Sequence, residues 1–182
     1  MKIKTPFFDI KIDIIFIIIM FIFLFSNNIR SFLSSYLICY LFIVFHESSH
    51  MFVATLFGKE IEIFNIGLFG VKKKKKKLHY NLEENYLSKK YLIRDIFIFL
   101  AGPLSNLVLA IIFKNIKVVY DINIFLCILN LIPVYPLDGY NIFKNLLLLK
   151  LDERNTDKII NIISYIVFLI LFICGILIFI LL

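Results

Sequence analysis

Residues 32–57 read FLSSYLICYLFIVFHESSHMFVATLF. The run is 26 residues of apolar chain, broken only by His46, Glu47, Ser48, Ser49 and His50 near its C-terminal end. At 1.5 Å per residue it is long enough to cross a hydrocarbon core of about 30 Å. Gly58 follows as a helix stop. Two imidazoles and a carboxylate inside such a segment cost several kcal/mol unless they are paired or used.

The rest of the chain has the same character. Of its 182 residues 61% are hydrophobic and 18% are charged, and the mean hydropathy is +0.93. Soluble domains are about 45–50% apolar and about 25% charged. This composition excludes a soluble globular domain and a disordered chain, and it predicts an integral membrane protein.

Further apolar runs cover Ile14–Phe25 (reaching back to about Phe7), Ile96–Phe113, Val118–Pro133 and Ile159–Leu182. Tyr140–Leu151 reads as a short amphipathic or re-entrant helix, and Tyr135 to Gly139 as a turn. The expected fold is an all-α polytopic membrane protein of about five to six transmembrane helices. After the second helix comes a short cytoplasmic β-strand excursion, because Glu60-Ile61-Glu62-Ile63 alternates as strands do. All 182 residues form one domain in this reading, with a motif-bearing core of about 32–150 and no PDZ or CBS domain.

Net charge is +7, and ten of the 20 basic residues fall between Lys59 and Arg94. Such a cluster can mark nucleic-acid binding, but in a membrane chain it is the signature of a cytoplasmic loop. No nucleic-acid partner is expected. Lys2, Lys4 and Lys11 put the N-terminus on the same side, and Lys144, Lys150, Arg154 and Lys158 return there after four crossings. The Lys72–Lys77 run stays solvated or meets anionic headgroups. Cys39, Cys127 and Cys174 lack metal-ligand spacing and read as packing residues.

His46 to His50 match H-E-x-x-H. Residues i and i+4 share a helix face, so both imidazoles can reach one ion, and zinc accepts such nitrogens. Glu47 faces a neighbouring direction, where it could take a proton from water activated by the metal. A purely structural alternative is a polar cluster bonding helices together. A catalytic zinc needs a third protein ligand and an open position. His79 is the remaining histidine, but Asp138 is the better candidate. It ends Asn130-Leu131-Ile132-Pro133-Val134-Tyr135-Pro136-Leu137-Asp138-Gly139, at the cytoplasmic end of its span, as His46 and His50 are of theirs. Pro133 and Pro136 each remove a backbone donor, and Gly139 permits a conformation closed to other residues. Irregular backbone at membrane depth is tolerated where protein or a water cavity surrounds it.

Together these two motifs resemble the site-2 protease family of intramembrane zinc metalloproteases. The N-x-x-P-x-x-P-L-D-G form is most similar to the branch containing the stage IV sporulation FB protease. Ala101-Gly102-Pro103-Leu104-Ser105-Asn106 resembles the recurrent A-G-P-x-x-N element of that family. The resemblance covers about residues 37–150. It implies one zinc ion per chain on His46, His50 and Asp138, Glu47 as general base, and Asn130, Pro133 and Asn106 in substrate positioning. It also implies cleavage of a membrane-tethered protein, such as a sigma-factor precursor in sporulation, in the cell membrane with the site open to the cytoplasm. A membrane-protein regulator or a second copy of the chain would be a further partner. Ser48-Ser49 stand where the family often has Leu-Gly, a departure that touches packing rather than chemistry. The competing readings are a catalytically inactive metal-binding scaffold of the same fold and a transporter. A transporter needs polar residues in further spans or repeated halves, and Asp121 and Asn161 do not supply them.

Overall fold

The structure is a computed structural model. It describes the backbone of residues 2–4, 9–12, 30–59, 61–67, 70–75 and 88–181, and the side chains of 36–59 and 88–180. The expected span Ile14–Phe25 lies outside the described residues. Five helices run along the described chain: α1 (Arg30–Leu56), α2 (Lys89–Ile112), α3 (Lys117–Leu131), α4 (Asp138–Leu148) and α5 (Glu153–Leu181). Backbone pairing also joins four strands in the order β1 (Lys2–Lys4), β2 (Asp9–Ile12), β3 (Ile61–Gly67) and β4 (Gly70–Lys75). The β2–β3 pair is parallel and the other two are antiparallel.

Among the described residues three helices are long and apolar enough to cross a membrane: Tyr36–Leu56 of α1, all of α2, and Glu153–Ile180 of α5. The run Val118–Pro133, read above as a span, forms the 15-residue α3. At 1.5 Å per residue α3 is about 22 Å long, short of a hydrocarbon core of about 30 Å. The helix stops because Ile132 turns extended and Pro133 can donate no helical bond. The expected turn at Tyr135 to Gly139 is shorter than predicted, since α4 already begins at Asp138.

Helix α2 is the centre of the packing and touches α1, α3 and α4, while α4 also rests on α5. Met51, Ala54, Leu92, Ile98, Ala110, Leu126 and Ile142 fill the space between them. α1 ends where the sequence predicts. Gly58 takes a φ of 74°, its N–H donates to the Thr55 carbonyl and that of Lys59 to the Ala54 carbonyl, both at 2.9 Å. This is the Schellman stop, in which the left-handed residue closes the last carbonyls. At the same end, Lys59 Nζ pairs with Asp95 Oδ1 of α2 at 2.5 Å. Lys144 of α4 and Asp157 of α5 form a second pair at 2.7 Å, which raises the Lys144 pKa. Phe168, Phe172, Phe179 and most of their neighbours on α5 are exposed, as expected of a helix solvated by lipid.

Candidate metal centre

Helical spacing brings His46 and His50 to one face of α1, one turn apart. That face is turned onto α2, so both residues are buried, with relative exposures of 4% and 2%. Their rings stand nearly perpendicular, at 82°, with centroids 4.7 Å apart. Asp138 enters from the first turn of α4, where the positive end of the helix dipole favours a carboxylate. His46 Nε2, His50 Nε2 and Asp138 Oδ2 form a near-equilateral triangle: each nitrogen is 3.0 Å from the oxygen, and the two nitrogens are 3.1 Å apart.

The outer hydrogen bonds decide what this triangle is. His50 Nδ1 lies 2.6 Å from the Ile98 carbonyl. A carbonyl only accepts, so the ring proton sits on Nδ1. His46 Nδ1 lies 3.1 Å from Asn106 Oδ1 and donates likewise. A neutral imidazole carries one ring proton, so both Nε2 atoms turn lone pairs inward. The Asp138 carboxylate adds a third acceptor. Three acceptors at 3 Å repel one another unless a cation lies among them. Zinc bonds of about 2.0–2.1 Å in tetrahedral geometry separate ligands by about 3.3 Å, so the triangle needs to open by only about 0.3 Å. The donor set therefore fits zinc, with outer partners of the kind that orient metal-bound histidines.

Two features of α2 make the approach feasible. Pro103 lacks the N–H that the Phe99 carbonyl would receive, which loosens the turn beside Ile98. Gly102 leaves room for the imidazoles: a Cβ there would overlap His50 Nε2 and sit 2.5 Å from His46 Nε2. Gly139 acts similarly at the other wall. Its expected unusual backbone conformation is not what the structure shows, since Gly58 is the positive-φ glycine among the described residues. Gly139 instead lets α4 pack against the end of α3, where a Cβ would collide with the Leu131 and Ile132 carbonyls.

Among the other predicted residues, Glu47 is half-buried, one position along α1 from His46. Asn106 is fully buried and touches the centre through His46. Asn130 donates its amide to the Leu126 carbonyl of its own helix at 2.9 Å. Pro133 stands half-buried in the α3–α4 connection. The sequence marks Gly102 as part of a motif but assigns no role to its bare α-carbon or to the backbone of Ile98. The only sign of them there was the Gly-Pro pair inside an otherwise regular span. Of the cysteines, Cys127 is buried, Cys39 half-buried and Cys174 exposed.

Comparison with known proteins places this geometry. The model of peptidase family M50 matches residues 35–121 and 114–174. The fold is similar to that of the solved Site-2 Protease from Methanocaldococcus jannaschii, with a TM-score of 0.61 and 23% identity, covering 97% of this chain and 85% of that one. No curated protein matches the sequence. The family match spans well over half of the sequence and contains all three converging residues, so the chain belongs to peptidase family M50, a family of zinc metalloproteases.

Proposed function

We propose that this chain is an intramembrane zinc endopeptidase that cleaves a membrane-tethered protein within or near its transmembrane segment. The observation that carries the reading is the triangle of three inward acceptors on His46, His50 and Asp138. One zinc ion per chain would be held there. When bound, it supplies Lewis acidity, acidifying water and polarising a carbonyl.

Glu47 is the general base: it takes the proton of the attacking water and passes it to the leaving nitrogen. Asn130 and Pro133, in and just after the end of α3, shape the approach of the substrate. A helical substrate hides its carbonyls in hydrogen bonds, so it must unwind before it can react. β4, the last strand of the sheet among the described residues, offers such a segment a strand to pair with. The basic loop after α1 supports a site near the cytoplasmic face of the cell membrane. The likeness of Asn130–Gly139 to the sporulation branch supports a membrane-associated sigma-factor precursor as the substrate.

The test is co-expression with a membrane-tethered substrate, comparing the native chain with Glu47→Gln. The native chain should release the cytoplasmic fragment, while Glu47→Gln should bind zinc and release none. Cleavage by Glu47→Gln would sink the mechanism, and zinc binding without cleavage by either chain would favour the inactive scaffold.

A further inference from the structure

Two asparagines inside the α2–α3 hairpin are each only half used. Asn106 and Asn123 are both 0% exposed. Asn106 gives Oδ1 to His46, and its Nδ2 has no partner among the described residues. Asn123 donates Nδ2 to the Val119 carbonyl at 2.8 Å, and its Oδ1 has none. One residue thus lacks an acceptor and the other lacks a donor. Buried polar groups without partners are rare in native structures and need a physical explanation.

The hairpin register supplies it. α2 is capped by Phe113 and α3 by Ile116, and the Ile116 N–H closes the turn onto the Phe113 carbonyl at 2.8 Å. Asn106 lies seven residues before Phe113 and Asn123 seven residues after Ile116. Each is therefore about 10 Å from the turn along its helix. The two helices pack together, so both side chains are buried at one level of one hairpin. One buried water between them would satisfy both, donating to Asn123 Oδ1 and accepting from Asn106 Nδ2.

We propose that Asn123 is a positioning residue of the metal centre, holding the Asn106 amide through one buried water and thereby the ring of His46. The chain of contacts runs from Asn123 to water, to Asn106, to His46 Nδ1. It keeps the ring proton on Nδ1 and the lone pair on Nε2, the atom that faces Asp138 and His50. The proposal rests on the reading that His46 is a zinc ligand.

The experiment uses the full chain purified in detergent. Asn123→Leu keeps the branched heavy-atom shape and removes the acceptor, and Asn123→Asp keeps the acceptor. Asn123→Leu should raise the zinc Kd about tenfold, measured by chelator competition, the scale typical of lost outer-shell partners. It should lower kcat with KM unchanged, and Asn123→Asp should stay close to native in zinc affinity. Asn123→Ala carries the same expectation as the leucine if the bulkier leucine disturbs the hairpin.

A merely structural asparagine predicts the reverse, since leucine suits an apolar hairpin and would leave zinc affinity untouched; that result overturns the proposal. A second readout needs no metal. In zinc-free protein the melting shifts of Asn106→Leu and Asn123→Leu should be non-additive, the double variant losing little more than the worse single one. Additive shifts overturn the link. If the native chain binds no zinc, the zinc reading of the centre fails on its own, and the zinc-free cycle still decides the asparagine pair.

Discussion

Replacing Gly102 by alanine puts one methyl group against the metal centre. The new Cβ would overlap His50 Nε2 and lie 2.5 Å from His46 Nε2 and 2.6 Å from His46 Cε1. Unstrained contacts of this kind begin near 3.5 Å, so α2 or the rings must retreat by about 1 Å. Zinc sites hold their distances to about 0.2 Å, so the displacement is about five times the tolerance. Lost outer-shell partners already cost about 10–100-fold in metal affinity. A direct displacement of two ligands should therefore weaken zinc by about 100-fold or more, or about 2.7 kcal/mol. Overpacking should also cost about 1–3 kcal/mol of folding stability, partly offset by up to about 1 kcal/mol from alanine's helix propensity. The assay is chelator competition on purified protein, with a thermal melt alongside. Gly175→Ala is the control: nothing lies within 4 Å of that Cβ, on the exposed part of α5, and it should leave zinc affinity unchanged. A Gly102→Ala chain that binds zinc as the native chain does would refute the reasoning.

Other changes probe the remaining contacts. Asp138→Asn should lower zinc occupancy, read by metal analysis, because one charged acceptor of the triangle becomes neutral. Gly139→Ala should lower both the melting temperature and zinc affinity, since its Cβ meets the Leu131 and Ile132 carbonyls and displaces α4 with Asp138; overpacking of this kind costs about 1–3 kcal/mol. Asn130→Ala should leave zinc affinity unchanged and reduce cleavage, as its amide bonds within α3 rather than to a ligand. Lys59→Met should shift the melt only slightly, because a partly exposed ion pair with Asp95 contributes about 1 kcal/mol or less.

The parts of this centre that follow from local periodicity were legible in the chain. His46 and His50 share a face because i and i+4 always do on a helix, and Gly58 stops α1 because a left-handed residue is needed there. Asp138 was reachable by arguing membrane depth, although it heads a helix rather than sitting in a turn. The length of α3 was not legible. Its apolar run looks like a span, and only Pro133 marks where the helical bonds fail. Contacts between helices were harder still. The sequence shows Gly102 and Asn106 as an element of one span, but not that a bare α-carbon faces two imidazoles or that an amide holds His46. Which turn of α2 meets which turn of α1 is set by packing in three dimensions, and one-dimensional spacing carries no record of it. Asn106 was expected to position substrate, and the contact the structure gives it is with the His46 ring. Asn123 gave no signal at all, because one polar residue in an apolar helix does not reveal whom it faces.

The most direct test of the account is X-ray absorption at the zinc edge on the purified native chain. Two imidazole nitrogens and carboxylate or water oxygen at about 2.0–2.1 Å are predicted, with one zinc per chain. A sulfur shell at about 2.3 Å, implicating Cys39, Cys127 or Cys174, or a chain that takes up no zinc, would contradict it.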